Sequence, residues 1–507
     1  MAKLTLGVPL AKALQAPELL IVAPRAVHHK GLARKLLSGR WEGGAALEAM
    51  LADAKPGGMG KVVATFTGLK APRRVLLGVL PDEVSRHLSP TRSHAIQSCA
   101  AEAGLGRPGQ RAVVLVLDEP GHWLAAANAL GRALPRFDRK SGGPAGKGKA
   151  KAKGQAQLAQ VSVTAVDARL KPLPLPAGVE ETVDAARWAA WLVDHPTADL
   201  TTAGFVSAVQ AYARELKLRV QTTVITGQAL LQKGLGGIHA VGRAAEVAPR
   251  LLILQHGPQR PEATVALVGK GVVFDTGGLS IKTPTTNMSG MKGDMGGGAA
   301  VVGAFLALAQ EKPRQRLICL VPLAENAVGP ASFRPDDILR LHSGKTVEIN
   351  NTDAEGRLLL ADGVSYAART FRPDLVIDAA TLTGAQLVAT GKRHAAVVSN
   401  REGLEQLAVR AGRDTGDLVH PLPFAPELYQ PEFESKVADM KNSVKDRMNA
   451  QSSCAAQFVW SHISDTEVPW LHVDLAGPAV AGERGTGFGV ALLAEVARRV
   501  DRKALAR

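Results

Sequence analysis

Two acidic residues and one arginine alternate in a short polar segment and could act together on a ligand. The segment, residues 350–358, reads NNTDAEGRL and contains Asp353, Glu355 and Arg357. In an extended backbone these three side chains would point to one side. Two carboxylates and a guanidinium directed at one point are costly to bury unless an ion or a ligand compensates their charge. A solvated turn that carries a surface ion pair is the alternative interpretation of this segment taken alone.

The elements on either side of this segment place it at the end of a strand. Residues 346–349 (TVEI) alternate polar and apolar positions and include β-branched side chains, which predicts a strand. Residues 358–369 begin with LLLADGV and are rich in helix formers, which predicts a helix. Open α/β sheets bind ligands at the carboxyl ends of their strands, so the segment is a candidate ligand site.

Two further acids, Asp275 and Asp294, lie in glycine-rich segments of a similar kind. Residues 269–282 (GKGVVFDTGGLSIK) follow a predicted buried strand, and residues 291–298 (MKGDMGGG) open a predicted helix. Glycine lets the backbone approach a ligand closely. If these acids converge with the pair in residues 350–358, either some of them take protons or two divalent cations balance their charge. Alternatively, each acid serves only the geometry of its own turn.

The residue types around these acids indicate which metals would fit. Oxygen donors without cysteine favour metals such as Mn²⁺ or Mg²⁺, and Zn²⁺ is tolerated. None of the 13 histidines lies in these segments and no HExxH motif occurs, which argues against a single catalytic zinc held by histidines. Residues 235–242 lack the spacing of a dinucleotide-binding motif, and residues 269–282 lack the spacing of a P-loop.

Length and composition indicate a protein of two domains. A chain of 507 residues exceeds what one hydrophobic core usually supports, and 46% hydrophobic with 21% charged residues is ordinary for a globular protein. Cys99, Cys319 and Cys454 fit no metal-binding spacing and favour a reducing compartment. The N-terminus lacks the pattern of a secretory signal, and no run of about 18 apolar residues could span a membrane. We therefore expect a cytoplasmic protein without membrane contact.

The chain is predicted to divide into an N-terminal α/β domain, residues 1–175, and a larger domain, residues 176–507, that holds all four acids. The proline-rich segment 171–176 is the expected linker. Residues 139–155 are rich in lysine, glycine and alanine, and we expect a disordered loop there. Short apolar runs predict strands of the first domain at residues 19–22, 61–66, 74–79, 112–117 and 161–166.

The net charge of +15 raises nucleic-acid binding as an alternative function. Six of the basic residues lie in residues 139–155 without any acid, and the remaining charge is dispersed along the chain. No nucleic-acid-binding signature accompanies it. A regulator that binds DNA through a basic surface, alone or as a second function, therefore has charge but no motif in its support.

Several segments together resemble the leucyl aminopeptidase family, also called the cytosol aminopeptidases. The similarity spans roughly residues 180–495 and is carried by residues 269–282 and by MKGDMGG (291–297), NTDAEGR (351–357), DAATLTGA (378–385) and WLHVDLAG (470–477). The resemblance implies a smaller N-terminal α/β domain followed by a catalytic domain whose mixed sheet is flanked by helices. It also implies a homohexamer that removes N-terminal residues from peptides, with leucine-like residues preferred.

The resemblance implies a role for each of seven polar residues. One divalent metal, Mn²⁺ or Zn²⁺, would be held by Lys270, Asp275, Asp294 and Glu355, and a second by Asp275, Asp353 and Glu355. A hydroxide bridging the two metals would attack the peptide carbonyl, Lys282 would stabilise the oxyanion, and Arg357 would hold a bicarbonate that shuttles the proton. An apolar pocket for the first side chain would be lined by Met291, Thr381, Leu382, Gly384, Ala476 and Ala479.

Overall fold

The computed structural model describes residues 2–41, 43–140, 158–284, 287–500 and 505. The predicted basic loop, residues 139–155, lies outside the described residues from residue 141 onward, so its predicted disorder and the nucleic-acid alternative stay predictions. None of the helices in the described part of the chain combines the length and the apolar character that crossing a bilayer requires.

The chain forms two compact units. The first comprises Met1–Arg187 together with Gly412–Gly416, and the second comprises Trp188–Ala411 together with Asp417–Arg507. Both units contain β-sheets and flanking helices, which confirms the predicted two-domain α/β class. The boundary predicted between residues 175 and 176 stays a prediction.

A six-stranded sheet forms the centre of the first unit. Its strands are β1 (Lys3–Thr5), β2 (Glu18–Pro24), β3 (Lys61–Phe66), β4 (Arg74–Leu80), β5 (Gly109–Val116) and β6 (Ala159–Val166). They are ordered β1-β6-β5-β2-β4-β3, and neighbours are parallel except β3 with β4. The five predicted strands are thus confirmed. The helices between them are α1 (Leu10–Ala13), α2 (Arg25–His29), α3 (Leu32–Leu36), α4 (Gly44–Asp53), α5 (Ser93–Glu102) and α6 (Trp123–Arg132).

Strand β2 shows why this sheet forms. Its side chains alternate between the two faces, so that Leu20 and Val22 pack into one apolar core while Leu19 and Ile21 pack into another. None of these four side chains is more than 1% exposed. A strand buried on both faces reads as a continuous apolar run, which is typical of parallel sheets covered on both sides.

A mixed nine-stranded sheet forms the centre of the second unit. The strands of this unit are β7 (Gln221–Thr226), β8 (Arg250–His256), β9 (Thr264–Gly269), β10 (Gly271–Asp275), β11 (Arg316–Asn326), β12 (Ile338–Arg340), β13 (Thr346–Glu348), β14 (Leu375–Ala380), β15 (Ala395–Ser399), β16 (Val419–Pro421), β17 (Met440–Lys441), β18 (Trp470–Asp474), β19 (Val480–Ala481) and β20 (Arg484–Gly485). The large sheet has the order β16-β15-β18-β14-β9-β11-β8-β7, with β10 beside β11. Strands β12, β13 and β17 form a small sheet, and β19 pairs with β20.

The helices that follow α6 complete the chain. They are α7 (Val179–Asp194), which runs from the first unit into the second, α8 (Thr202–Glu215), α9 (Gln228–Gln232), α10 (Gly236–Gly242), α11 (Gly296–Gln310), α12 (Gly356–Phe371), α13 (Gly384–Ala389), α14 (Glu402–Thr415), α15 (Pro426–Tyr429), α16 (Gln451–Ser461) and α17 (Val490–Arg499). Helices α10, α12 and α16 pack with the central strands around one apolar core of fully buried aliphatic and aromatic side chains.

Four central strands of the large sheet, β18, β14, β9 and β11, run parallel. Their carboxyl ends therefore lie along one edge of the sheet. Strand β9 is followed directly by Lys270, β14 by Thr381, and β18 ends at Asp474. Ligands of open α/β sheets bind at this edge, and the polar residues of the candidate site are brought together there.

Strand β11 extends four residues beyond the apolar run of residues 317–322. It continues through Pro322 to Asn326, because the proline lies where β11 changes its parallel partner. Up to Leu320 the strand pairs with β9, and from Leu323 onward it pairs with β10. The missing amide hydrogen of Pro322 thus falls between the two ladders, so that a proline is tolerated inside the sheet.

The first turn of α11 packs directly against the backbone of the sheet. A Cβ atom on Gly297 would overlap the carbonyl group of Ala379 in β14, and one on Gly298 would lie 3.0 Å from the carbonyl oxygen of Lys270. The Gly298 amide donates a 2.7 Å hydrogen bond to that same oxygen. Glycine therefore lets the helix reach the strand ends, which brings Asp294, two residues before the helix, to the edge of the sheet.

Candidate metal centre

The turn between β13 and α12 carries Asp353 and Glu355. Glu355 has helical dihedral angles (φ −74°, ψ −37°) and directly precedes α12, and Arg357 lies in the first turn of that helix. The expectation that an extended backbone points these three side chains to one side is therefore wrong. The Asp353 amide donates a 2.9 Å hydrogen bond to the side chain of Asn351, which is a local turn of the kind asparagine favours. This turn, and not strand alternation, determines where the acids point.

Asp275 lies at the end of β10, beside the end of β11. Its Oδ1 atom accepts 2.8 Å hydrogen bonds from the Gly277 amide and from Nδ2 of Asn326, the residue opposite it in the ladder. One carboxylate oxygen each of Asp275, Asp353 and Glu355 lies within 4.8 Å of the other two. Three acids from two distant segments of the chain therefore meet in a volume that could hold a metal ion.

Lys270 and Asp294 border this group of acids. The Lys270 Nζ atom lies 2.8 Å from Asp294 Oδ1 and 3.0 Å from Glu355 Oε1, and it donates a 3.0 Å hydrogen bond to the carbonyl oxygen of Thr381. The Thr381 hydroxyl in turn donates to Asp294 Oδ1 over 2.8 Å. The buried ammonium group of Lys270 is therefore paired with Asp294 and Glu355. The four acids Asp275, Asp294, Asp353 and Glu355 are here called the acidic cluster.

Lys282 approaches the acidic cluster from the segment after β10. Its Nζ atom lies 2.9 Å from Asp275 Oδ2 and 2.5 Å from Asp353 Oδ1. Burial alone would lower the pKa of this ammonium group, but the two carboxylates raise its pKa above the ordinary value. Lys282 is therefore a cation throughout the physiological pH range.

The charge balance of the acidic cluster fits divalent metal ions. Four carboxylates face only two ammonium groups, and burial together with Asp275 raises the pKa of Glu355 to about 8. Burial likewise raises the pKa of Asp294 to about 6, although Lys270 opposes the shift. The Oδ2 atom of Asp294 is buried and has no hydrogen-bond partner among the described residues. An uncompensated set of buried oxygen donors is what hard divalent cations require.

Arg357 is a buried guanidinium that forms no ion pair with any described residue. Its Nη1 atom donates a 2.9 Å hydrogen bond to the carbonyl oxygen of Asn442. The rings of Phe433 and Phe458 lie 6.0 and 5.9 Å from the guanidinium carbon. Burial lowers the pKa of Arg357 to about 10, which still leaves it charged at neutral pH. Such a cation can bind a small anion, and it is too basic to remove a proton itself.

Two of the residues predicted to line the first side-chain pocket, Thr381 and Ala479, lie beside the start of α11. A Cβ atom on Gly296 would lie 3.3 Å from both Thr381 and Ala479, so these two positions are neighbours. A small apolar cavity behind them is lined by Ala189, Val193, Gly296, Ala299, Ala300, Ala479, Gly487 and Phe488. Ala479 is the member of the predicted set that lines this cavity. The contact of Met291, Leu382, Gly384 and Ala476 with a substrate stays a prediction.

The sequence motifs left several polar residues of the site without a role. Asn326 holds Asp275, and the Thr352 hydroxyl donates a 2.6 Å hydrogen bond to the carbonyl oxygen of Gly277, tying the two acidic turns together. Asp474 accepts hydrogen bonds from the Leu382 amide and from the hydroxyls of Thr383 and Ser452. Asp474 could have been recognised from the sequence, because it lies in the WLHVDLAG segment, at the end of a central strand.

Comparisons with known proteins agree on one family. The family model described as cytosol aminopeptidase family, catalytic domain, matches residues 187–494, and the one described as M17 aminopeptidase N-terminal domain 2 matches residues 57–143. The probable aminopeptidase NPEPL1 of Mus musculus is 47% identical over 422 residues, which cover 82% of this chain and 78% of the relative.

Solved structures show the same similarity over nearly the whole chain. Leucyl aminopeptidase from Trypanosoma brucei, solved in complex with bestatin, superposes with a TM-score of 0.86 at 35% identity, covering 98% of this chain and 96% of that chain. The bottromycin maturation enzyme BotP, solved in complex with Mn, superposes with a TM-score of 0.75 at 29% identity, covering 95% and 99%.

Proposed function

Because the chain belongs to the cytosol aminopeptidase family, we propose that it releases leucine-like N-terminal residues from peptides, using two divalent metal ions at the acidic cluster. Family membership makes it a metal-dependent aminopeptidase. The observation that carries the finer proposal is the convergence of Asp275, Asp353 and Glu355 within 4.8 Å. Asp275 comes from a different segment than Asp353 and Glu355, and a solvated surface turn would give it no reason to meet them.

The proposed ligands are the acidic cluster and Lys270. One ion would contact Lys270, Asp275, Asp294 and Glu355, and the other Asp275, Asp353 and Glu355. Burial would lower the pKa of Lys270, but Asp294 and Glu355 raise it, so its side chain is an ammonium group in the metal-free protein. An ammonium group has no lone pair, so it must lose a proton to bind a metal. A neighbouring dication favours that loss. We propose Mn²⁺ or Zn²⁺, and the manganese complex of the structural relative BotP supports the former.

The chain's own residues supply the remaining chemistry of the proposed reaction. Two divalent ions bound at the acidic cluster would polarise the peptide carbonyl and lower the pKa of water. Lys282 stays charged beside Asp275 and Asp353 and would stabilise the developing oxyanion. Arg357, which forms no ion pair with any described residue, would hold a bicarbonate. A free N-terminal amine would be a metal ligand, so peptides without one would be poor substrates.

Other features of the proposal concern the pocket and the assembly. The first side chain would lie against Met291, Thr381, Leu382, Gly384, Ala476 and Ala479. We propose a homohexamer in the cytoplasm. The three cysteines are all free and buried, which agrees with a reducing compartment.

Gly356 provides a test of how Lys270 reaches the acidic cluster. A Cβ atom at this position would lie 2.6 Å from Cε and 2.8 Å from Nζ of Lys270. Gly356→Ala should therefore displace Lys270 and lower metal affinity and kcat by about 10- to 100-fold, as measured by dye competition and leucine p-nitroanilide hydrolysis. Gly403→Ala is the control, because that helical glycine has open space around its Cβ position. Wild-type kinetics in Gly356→Ala would contradict the expected displacement.

Metal removal and blocked substrates test the proposed function itself. Wild-type protein dialysed against a chelator should lose hydrolysis of leucine p-nitroanilide and regain it with Mn²⁺ or Zn²⁺. N-acetyl-leucine p-nitroanilide should not be hydrolysed, because its amine is blocked. Equal turnover of the acetylated substrate, or full activity in protein shown to be metal-free, would refute the proposal.

A further inference from the structure

Asn442 is a fully buried asparagine that contacts the acidic turn from outside the set of proposed ligands. Its Oδ1 atom accepts hydrogen bonds from the amides of Asn350, at 2.9 Å, and Asn351, at 3.3 Å. Its Nδ2 atom donates to the carbonyl oxygens of Asn351, at 2.7 Å, and Ala354, at 3.3 Å. One side-chain amide thus fastens both the entry to the turn and the residue between Asp353 and Glu355.

The main chain of Asn442 reaches a second part of the site. Its carbonyl oxygen accepts the 2.9 Å hydrogen bond from Arg357 Nη1. The same residue therefore fixes the turn that carries two proposed metal ligands and the guanidinium that follows them.

The position of Asn442 is itself fixed by a neighbouring strand. Strand β17 pairs in parallel with β13, and the Asn442 amide donates a 3.0 Å hydrogen bond to the carbonyl oxygen of Glu348. One residue further, the Ser443 amide donates to Asn350 Oδ1 over 2.9 Å, and Asn350 Nδ2 donates to the Ser443 carbonyl oxygen over 3.2 Å. Backbone and side-chain hydrogen bonds therefore connect residues 440–443 with residues 347–350, and they hold Asn442 in place beside the turn.

We propose that Asn442 is a positioning residue that sets the placement of Asp353, Glu355 and Arg357 for metal binding and hydrolysis. This inference rests on the proposed function of the acidic cluster. An amide is needed because the turn presents two donors and two acceptors to it. An aspartate of the same shape would place a carboxylate oxygen against the carbonyl oxygens of Asn351 and Ala354, which repels them. The turn would then shift, and its acids with it.

The test compares Asn442→Asp with a matched asparagine elsewhere in the same unit. Asn400 also joins two segments through its side chain, donating to the Val468 carbonyl oxygen and accepting from the Trp470 amide, and it touches no proposed site residue. Asn442→Asp should weaken Mn²⁺ affinity, measured by competition with a chelating dye, and lower kcat for leucine p-nitroanilide, each by about 10- to 100-fold. Asn400→Asp should change the Mn²⁺ affinity and kcat by less than about 3-fold, because the hydrogen bonds of Asn400 to Val468 and Trp470 do not hold a proposed metal ligand. The change in kcat should exceed the change in KM.

A purely structural role for Asn442 predicts a different result. Asn442→Asp and Asn400→Asp would then lower the thermal midpoint alike while metal affinity and kcat remained equal, and that outcome would overturn the inference. Asn442→Ser, which replaces the carboxamide with a single hydroxyl, gives the same comparison if the aspartate variant does not fold. If wild-type protein binds Mn²⁺ without hydrolysing the substrate, the proposed function fails, and the difference in Mn²⁺ affinity still decides the role of Asn442.

Discussion

Lys282→Ala is expected to lower kcat for leucine p-nitroanilide by about 10²–10³-fold, the usual cost of removing one oxyanion donor. The Lys282 ammonium lies at the acidic cluster, 2.9 Å from Asp275 and 2.5 Å from Asp353. These carboxylates raise its pKa, so it is positively charged at neutral pH. Alanine removes that charge but no proposed metal ligand. Metal affinity measured by dye competition should therefore be unchanged or tighter while turnover falls.

Lys445→Ala is the matched control for this loss. Lys445 also forms an ion pair with a carboxylate, Glu434 at 3.0 Å, but on the exposed surface of the same unit. Its replacement should leave kcat and metal affinity at the wild-type level, since exposed ion pairs contribute little. Turnover of Lys282→Ala within about 3-fold of wild type would exclude the oxyanion role.

Glu355→Gln is expected to weaken metal affinity and lower kcat, each by at least about 100-fold, because even residues outside the direct contact shell cost 10- to 100-fold. Glu355, like Asp275, is a proposed ligand of both ions, and glutamine removes its negative charge while keeping its shape. Metal content by mass spectrometry and hydrolysis of leucine p-nitroanilide measure the effect. Glu405→Gln, at an acid that accepts a hydrogen bond from the Ser399 amide away from the site, should retain both properties.

The stability of the metal-free protein gives this substitution a second readout. Burial and Asp275 raise the pKa of Glu355 to about 8 from its ordinary 4.5, so the folded state favours the protonated acid. Ionised Glu355 therefore costs stability at pH values above about 4.5, and the cost grows until the pH reaches about 8. Metal-free Glu355→Gln should thus unfold at a temperature no lower than metal-free wild type at pH 8. A variant that is inactive only because it is unfolded would contradict this expectation.

The sequence was informative where chemistry depends on local strings of residues. The motifs around Lys270, Asp275 and Glu355 located the turns that the fold brings to one edge of the sheet. The reason offered for the direction of Asp353 and Glu355 was nevertheless wrong, because periodicity cannot show that Glu355 already has helical dihedral angles. Local patterns identify which residues lie in a turn, but the backbone path of the turn decides where they point.

Long-range contacts set the limit of what could be predicted. Strand β11 continues past Pro322 although proline is disfavoured inside a sheet, and the change of partner strand at this point cannot be seen in the sequence. Asn442 is a second example, since its partners are backbone groups of Asn351 and Ala354 about ninety residues earlier. No spacing rule connects a side-chain amide with a distant main-chain carbonyl.

The acidic cluster is assembled from strand ends and turns that lie far apart in the chain, and this has a thermodynamic consequence. The unfolded polypeptide cannot present these oxygens together, so an ion that binds them favours the folded form by mass action. A free ion concentration of 100 times its dissociation constant adds about 2.7 kcal/mol to folding stability. If the proposed ions bind at the acidic cluster, they would therefore protect the folded protein from proteolysis as well as support its turnover of substrate.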